Sequence, residues 1–337
     1  MTNIMGACAA EDAGNARRVV SYYGNQRAEL PAQVSKVATM GAHSALVAML
    51  GYGPRIVATN RGVRDMPLFR RFVPSIADAA LISNGEPNAP GELNIEELLR
   101  LRPDVVFMGG IPKSQSDLLE KAGIALVALR YNSMQNMLER VSITGDILGD
   151  DARRRAGDYR AYFDGNLAKV RGILAKVPAE KRLKIYHALG EPLSTSGRPS
   201  INQDWMDMGG AVNIAEHWFK GTANTTGKVS LEDIIAANPD AIIAMRAADA
   251  AFIRADPRWK NLRAVRDGRV YANPRGMYWW CRETPEEALQ FLWLAKTLYP
   301  EAATDIDMPK EVKHFYQRFY GYDLSEADVA EFLFPQN

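Results

Sequence analysis

The sequence has few of the residues that usually build catalytic or structural metal centres. It contains two cysteines, Cys8 and Cys281, and four histidines in 337 residues. Two cysteines this far apart form neither a zinc knuckle nor a disulfide scaffold. No two histidines have the spacing of a metal-binding motif. We therefore expect a fold that does not depend on cysteine and no redox or metallohydrolase centre.

The sequence also lacks an excess of either charge, because 41 basic and 40 acidic residues leave a net charge of +1. Such a chain has no long-range field to attract nucleic acid, and no basic block indicates a membrane-surface patch. No apolar run approaches the roughly 20 residues that a membrane span needs. Nucleic acid is therefore not an expected partner, and any charge selectivity must be local.

The common enzyme motifs are missing too. There is no Gly-x-Gly-x-x-Gly turn, phosphate loop, nucleophile elbow or His-Glu-x-x-His. The carboxylate pair Glu96-Glu97 falls at a predicted helix start, where the helix dipole explains it. We predict a protein that is not an enzyme and has no catalytic cofactor. A chelatase-like or nitrogenase-like two-lobed enzyme stays open as an alternative, although it would need cluster cysteines; a signalling receptor module is a third possibility.

The amino-terminal segment Met1–Gly14 is small and polar, with neither a basic start nor an apolar stretch. It is not an intact secretory signal. The expectation is a cytoplasmic protein or a mature chain whose signal has been removed. The segment Met5–Cys8 loosely resembles a lipoprotein cleavage box that lacks its apolar part.

An internal repeat carries most of the structural information. Asn94–Phe107 recurs as Ser230–Ile243. In each copy a polar N-cap starts a short helix with acidic residues in its first turn, where the dipole favours them. A Pro-Asp pair then ends the helix, and an apolar run typical of a buried parallel strand follows. Two copies among further strand–helix alternations predict two similar, Rossmann-like α/β lobes.

A long helical stretch lies between the two copies. It begins at Asp150-Asp151 and closes at Pro178, with apolar residues recurring at spacings of three and four. A helix of roughly 40 Å at 1.5 Å per residue is too long for a turn between strands. We interpret it as a rigid connection between the lobes. The predicted organisation is a tail and leading hairpin (1–32), an amino-terminal lobe (33–148), the connecting helix (149–178) and a carboxy-terminal lobe (179–337).

These features together resemble the helix-linked (class III, TroA/BtuF-like) periplasmic binding proteins of ABC importers for ferric siderophores, haem and cobalamin. The resemblance runs from about Arg18 onward. It includes Val19–Pro31 as a leading hairpin, Asn94–Phe107, and the stretch Met208–Asn213. The tail, Pro285–Lys296 followed by a Phe315–Tyr322 segment, is similar to an iron-complex and molybdate/tungstate-binding subgroup.

The resemblance implies a periplasmic or lipid-anchored protein, expected as a monomer, that captures a metal complex such as a ferric siderophore and delivers it to the permease of an ABC importer. An oxyanion, haem or cobalamin are alternative ligands. In open α/β sheets ligands bind at the carboxyl ends of strands, so the cleft is expected between the two sets of loops. The candidate ligand-binding residues on these loops are His43, Arg61, Lys113, Tyr186, Arg246, Arg275, Tyr278, Trp279, Trp280 and Arg282.

The loop Asn273–Arg282 is the most unusual of these segments. It carries three adjacent aromatics between arginines, and three aromatics of one loop are not all expected to point inward. An aromatic wall with guanidinium groups suits a planar or anionic metal complex, and it favours a bulky iron complex. His43 and the phenolate of Tyr186 are the candidate direct metal ligands.

Docking to the permease is the second role that the resemblance implies. Members of the family usually offer one surface glutamate per lobe. In the second lobe Glu286 or Glu287 matches the expected position. In the first lobe Ala45 stands where a glutamate is often found, which leaves Glu92 or another carboxylate as a substitute.

Overall fold

Contacts divide the chain into two α/β units in a computed structural model that describes residues 17–85, 92–221 and 224–336. Unit 1 comprises the described residues up to Arg130 together with Glu139–Gly157. Unit 2 comprises Tyr131–Leu138 and the described residues from Asp158 onward. The amino-terminal segment Met1–Gly14, with its Met5–Cys8 box, lies outside the described residues. None of the described helices has the length and apolar character needed to cross a membrane.

Unit 1 is built on a parallel sheet preceded by a hairpin. The hairpin strands are β1 (Arg17–Tyr22) and β2 (Gln26–Pro31), and the sheet strands are β3 (Val37–Thr39), β4 (Ile56–Asn60), β5 (Ala80–Ser83), β6 (Val105–Met108) and β7 (Ala125–Ala128). The strand order is β5-β4-β3-β6-β7, and every pair is parallel. The helices are α1 (His43–Val47), α2 (Arg61–Arg64), α3 (Pro67–Phe72), α4 (Ile95–Leu101) and α5 (Lys113–Lys121). The predicted leading hairpin is confirmed.

Unit 2 is built on a four-stranded parallel sheet. Its strands are β8 (Lys184–Ala188), β10 (Val212–Asn213), β12 (Ala241–Ala244) and β13 (Val270–Ala272), with β9 (Ser194–Ser196) and β11 (Thr226–Lys228) forming a separate antiparallel pair. The sheet order is β10-β8-β12-β13. The helices are α8 (Ile201–Met208), α9 (Leu231–Ala237), α10 (Ala247–Ala255), α11 (Arg263–Arg266), α12 (Glu287–Leu298), α13 (Met308–Tyr320) and α14 (Glu326–Leu333).

The repeated segment forms the same structure in both units. The side chain of Asn94 accepts a hydrogen bond from the third residue of α4, and that of Ser230 does the same for α9. Each helix ends on a residue in the left-handed region directly before the proline, Arg102 with φ 48° and Asn238 with φ 42°. The apolar runs that follow are the buried strands β6 and β12. The predicted helix–Pro-Asp–strand units are thus confirmed.

The aspartate of each Pro-Asp pair also ties its unit together. In unit 1 the Oδ2 atom of Asp104 accepts hydrogen bonds from the backbone N–H groups of Ser35 (2.6 Å) and Lys36 (2.8 Å) and from the Ser35 hydroxyl (2.9 Å). In unit 2 the Oδ2 atom of Asp240 accepts from the backbone of Lys184 at 2.9 Å. The carboxylate of Asp104 therefore fixes the start of β3, which pairs with β6. That of Asp240 fixes the start of β8, which pairs with β12.

Two consecutive helices contribute residues to both units, α6 (Met134–Leu148) and α7 (Asp150–Leu174). The second is the predicted long helix, and it begins at the predicted residue. Its apolar stripe is buried, with Tyr159 and Val170 fully inaccessible. The helix ends at Leu174, before Pro178, and the backbone N–H groups of Lys176 and Val177 then bond three residues back, which tightens the last turn. The predicted fold class, two α/β units with parallel sheets and one long helix, is confirmed.

Candidate functional site

In unit 1 the carboxyl ends of three neighbouring strands are joined by the side chain of Asn60. Its Oδ1 atom accepts from the backbone N–H of Gly41 at 2.9 Å, after β3, and its Nδ2 group donates to the carbonyl of Gly85 at 3.1 Å, after β5. Asn60 itself is the last residue of β4. This amide holds the loops at the edge of the sheet where ligands of α/β proteins bind.

His43 lies within this edge, and the structure places it in the interior. Its ring is 1% exposed, packs 4.9 Å from the ring of Phe107, and has Nε2 at 3.3 Å from the Thr144 hydroxyl. Burial, and then the charge of the neighbouring Arg140, hold the pKa of His43 well below its usual range. Nδ1 finds no hydrogen-bond partner among the described residues, and neither does the buried hydroxyl of Thr39 at the end of β3.

Unit 2 carries a comparable histidine in its central strand β8. His187 is fully buried, and its ring meets that of Trp205 edge-on at 5.1 Å. Burial, with a smaller contribution from Arg282, lowers the pKa of His187 to about 3, so the ring is uncharged at neutral pH. Both ring nitrogens are without a hydrogen-bond partner in the part of the chain that the structure describes. A buried polar group left this way costs stability unless a ligand or water satisfies it.

Two hydroxyls of unit 2 are, like the His187 ring, buried without a hydrogen-bond partner among the described residues. Thr195 and Ser196, in the short strand β9, are fully buried, and their hydroxyl oxygens have no partner among the residues described. The backbone N–H of Leu189, just after β8, donates to the carbonyl of Ser194 at 2.8 Å, which holds the two strands together. The end of β8 and strand β9 therefore present a group of buried donors.

The predicted basic residues at the loop mouths are on the surface. Arg61, Lys113 and Arg246 are exposed. Arg61 donates to the Oδ1 atom of Asn84 at 3.2 Å, and Lys113 is paired with Asp117 on its own helix at 2.7 Å. In the part of the chain that the structure describes, no contact is found between Lys113 and His43.

The three aromatics of Asn273–Arg282 do not all point inward, as expected, but only one of the three rings reaches the surface. Tyr278 and Trp280 are fully buried. Only Trp279 is partly exposed, and the guanidinium of Arg275 covers its ring with Cζ 4.3 Å from the centroid. The apolar side chains point inward because the loop is closed by the bridge between Arg275 and Trp279 and covers the core of unit 2.

Arg275 and Arg282 are each half-buried on this loop. Desolvation lowers the pKa of Arg275, and its Nε atom has no hydrogen-bond partner in the described ranges. The charge of Arg282 acts on His187 and Tyr278. The structure thus brings together Arg275 with Trp279, and Arg282 with a histidine that sequence reasoning did not single out.

Tyr186 is corrected from a candidate metal ligand to a core residue. Its ring is fully buried, and its hydroxyl donates to the carbonyl oxygen of Pro192 at 3.0 Å. Burial raises its pKa, which opposes the phenolate that a hard metal ion needs. Among the described residues no three His, Cys, Asp or Glu side chains cluster in the way that a metal site requires.

Glu286 and Glu287 are corrected as well, because neither carboxylate is on the surface. The Oε1 atom of Glu286 accepts from the Tyr316 hydroxyl at 2.9 Å and from the backbone of Tyr278 at 3.2 Å, and burial raises its pKa. Glu287 accepts from the backbone N–H of Glu283 at 3.1 Å. Both carboxylates hold the loop from inside. In unit 1 Ala45 is buried and Glu92 is exposed.

The sequence signals for His187 and Arg140, which were not among the candidate residues, are weak. His187 is a single polar side chain in the buried part of β8, directly after the candidate residue Tyr186. Arg140 is one of many arginines on helices, and only the fold buries it completely. Nothing local distinguishes either residue from a satisfied core histidine or a solvated surface charge.

Residues 37–275, more than half of the chain, match the periplasmic binding protein family. The chain is 29% identical over 284 residues to the molybdate-binding protein MolA of Haemophilus influenzae, which covers 77% of this chain and 78% of that protein. It is 23% identical to the iron(3+)-hydroxamate-binding protein FhuD of Bacillus subtilis, over 62% of this chain and 68% of that one.

Solved structures show the same fold. A periplasmic solute-binding protein from Veillonella parvula superposes with a TM-score of 0.80 at 24% identity, covering 94% of this chain and 97% of that one. The molybdate-bound MolA structure superposes with a TM-score of 0.78 at 23% identity, covering 91% and 99%. The chain therefore belongs to the periplasmic binding protein family.

Proposed function

We propose that this protein is an extracytoplasmic solute-binding protein that captures a small oxyanion, with molybdate as the first candidate, and delivers it to an ABC importer. The observation that carries the choice of ligand is the set of buried imidazole nitrogens and hydroxyl oxygens that have no hydrogen-bond partner among the described residues, namely those of Thr39 at the end of β3 and His43 after it, His187 in β8, and Thr195 and Ser196 in β9. Tetrahedral oxyanions need several convergent N–H and O–H groups in a confined space, and imidazole and hydroxyl donors of this kind supply them.

The inward position of two of the three aromatics supports a small ligand over a bulky one. A ferric siderophore or a tetrapyrrole would stack against exposed rings, but Tyr278 and Trp280 lie in the core. The molybdate-binding relative covers more of the chain, at higher identity, than the hydroxamate-binding one. A role as a binding protein and not an enzyme agrees with the family, and an extracytoplasmic location agrees with the relatives, one of which is a substrate-binding lipoprotein.

A ferric hydroxamate complex is the second candidate. It is favoured by the half-exposed Trp279, whose ring is covered by Arg275 and so offers a stacking surface beside a cation. It is also favoured by the resemblance to the hydroxamate-binding protein FhuD. This ligand would contact the rim of the Asn273–Arg282 loop more than the buried hydroxyls.

The test is an equilibrium titration of ligand-free protein, followed by tryptophan fluorescence and by native mass spectrometry, with molybdate, tungstate, sulfate, ferric hydroxamate, haem and cobalamin. We expect one molybdate per chain with a dissociation constant of about 1 μM or below, equivalent to about −8 kcal/mol. His187→Ala should weaken molybdate binding about tenfold, the effect of losing one buried donor.

Arg160→Gln is the matched control, because this arginine is exposed on α7 and pairs only with Asp164 among the contacts found for it. Its affinity for molybdate should equal that of the unmodified protein. A failure of every compound in the panel to bind would overturn the proposal. Binding of the ferric hydroxamate alone would replace molybdate by the second candidate.

A further inference from the structure

Arg140 is a completely buried guanidinium that lies beside the candidate ligand-binding residue of unit 1. It is on α6, and Thr144 follows it by one helical turn on the same face. The Thr144 hydroxyl is 3.3 Å from Nε2 of His43, and all three side chains are at most 1% exposed. Helix α6 thus places a hydroxyl against His43 and a positive charge near enough to act on the ring.

This contact fixes what the histidine can offer. Thr144 occupies the Nε2 side of the imidazole, and the ring of Phe107 packs against it at a tilt of 43°. Nδ1 remains, without a partner among the described residues. An anion at Nδ1 requires the ring proton on that nitrogen, and the Thr144 hydroxyl then donates to Nε2.

The nearby charge decides which kind of ligand that nitrogen accepts. A metal cation bound to His43 would add positive charge next to Arg140 in a site with little water to screen it. An anion would be stabilised by the same charge. The low pKa of His43 reflects this repulsion in part, because the Arg140 charge also opposes a proton on the ring.

Unit 2 repeats the arrangement with different residues. His187 belongs to β8, which corresponds to β3 because each pairs with the strand that follows a Pro-Asp turn. It too is buried, it has unpartnered nitrogens in the described part of the chain, and it lies in the field of an arginine, Arg282. A buried histidine in the field of an arginine is therefore found in both units, although Arg282 is half-buried and Arg140 is completely buried.

We propose that Arg140 is a selectivity residue which acts through His43, so that unit 1 favours an anionic ligand and opposes a bare metal cation. The inference rests on the proposed function, since it assumes that the ligand reaches the loop after β3. Arg140 does not touch the ligand in this scheme; it positions and polarises the residue that does.

The test compares Arg140→Met, Arg140→Lys and the unmodified protein, with molybdate and Ni2+ as probes. Affinity for molybdate is measured by calorimetry, and Ni2+ by paramagnetic broadening of the His43 ring signals in 1H–15N spectra. We expect Arg140→Met to lose at least about tenfold in molybdate affinity and to gain Ni2+ broadening at His43. Arg140→Lys keeps the charge and should restore the preference for the anion.

Thr144→Val provides a second variant if Arg140→Met does not fold, as judged by circular dichroism. It removes the hydroxyl at Nε2 and should change the ring tautomer seen in the 15N shifts while weakening molybdate binding. Equal molybdate affinity and no Ni2+ broadening in folded Arg140→Met would overturn the inference, as would a Lys variant that behaves like Met. Absence of molybdate binding in the unmodified protein would overturn the proposed function instead, and the Ni2+ measurement would still decide the role of Arg140.

Discussion

His187 shows how a single buried side chain can be more informative than several exposed charges. Arg61 and Lys113 each have a carboxylate on their own helix within 4 Å, at 3.9 and 2.7 Å, so their charges are already partly balanced at the surface. Exposed pairs of this kind contribute about 0–1 kcal/mol. The imidazole of His187 has no hydrogen-bond partner among the described residues, and burying it in that state is costly. Such a position is typical of a binding residue.

We predict that His187 makes the protein sensitive to acid. Its pKa is about 3 in the folded protein and near 6.5 in the unfolded chain. Between these values the unfolded state takes up a proton that the folded state does not. Stability from this group is therefore complete above about pH 6.5 and is lost as the pH falls towards 3, by up to about 1.4 kcal/mol per pH unit.

The measurement is the free energy of unfolding by urea at pH 7, 6 and 5, for the unmodified protein and for His187→Phe. Phenylalanine keeps a ring against Trp205 but cannot bind a proton. Subtracting the two stability curves cancels the contributions of all other titrating groups. As the pH falls from 7 to 5, the free energy of unfolding of the variant should rise relative to that of the unmodified protein. Parallel curves would show that His187 is protonated or solvated in the folded protein.

At the scale of elements, the parts predictable from sequence are those governed by local rules. The N-caps Asn94 and Ser230, the stops before Pro103 and Pro239, and the start of the long helix at Asp150 depend on neighbours within one turn. All of them are present in the structure. Which of the three aromatics in Asn273–Arg282 face inward was not predictable, because the burial of a loop depends on what it covers and loop residues have no periodicity to reveal it.

We predict that the carboxylate of Asp104, which links two neighbouring strands, stabilises unit 1 as a whole. Its carboxylate accepts three hydrogen bonds at the start of β3. Asp104→Ala leaves two backbone N–H groups without this acceptor and should lower the free energy of unfolding by about 1–3 kcal/mol. Thermal and urea unfolding measure the change.

Asp117→Ala is the matched control, because this aspartate pairs with Lys113 on an exposed helix. It should change stability by less than about 1 kcal/mol. Asp240→Ala, the corresponding change in unit 2, should resemble Asp104→Ala and not the control. Equal effects of Asp104→Ala and Asp117→Ala would show that the repeated aspartates act only as helix stops.

For the whole molecule, the sequence indicated two α/β units and their family, whereas the residues of the candidate sites came largely from the fold. His43 and Thr144 are 101 residues apart in the chain and 3.3 Å apart in space. No spacing rule links such positions, because they meet only once α6 packs on the sheet. The even balance of charge was, by contrast, readable from composition alone, and it has a consequence for the rate of ligand capture.

With 41 basic and 40 acidic residues, the protein has no net field to steer a dianion over long distances. Screening shortens the Debye length from about 30 Å at 0.01 M salt to about 8 Å at 0.15 M, and strongly steered associations slow by tenfold or more over such a range. We predict that the association rate of molybdate, measured by stopped-flow tryptophan fluorescence, changes by less than about threefold. Arg282→Met should then weaken binding through faster dissociation, since its charge acts only locally. A steep salt dependence of the association rate would instead require a basic surface much larger than Arg61, Lys113 and Arg246 provide.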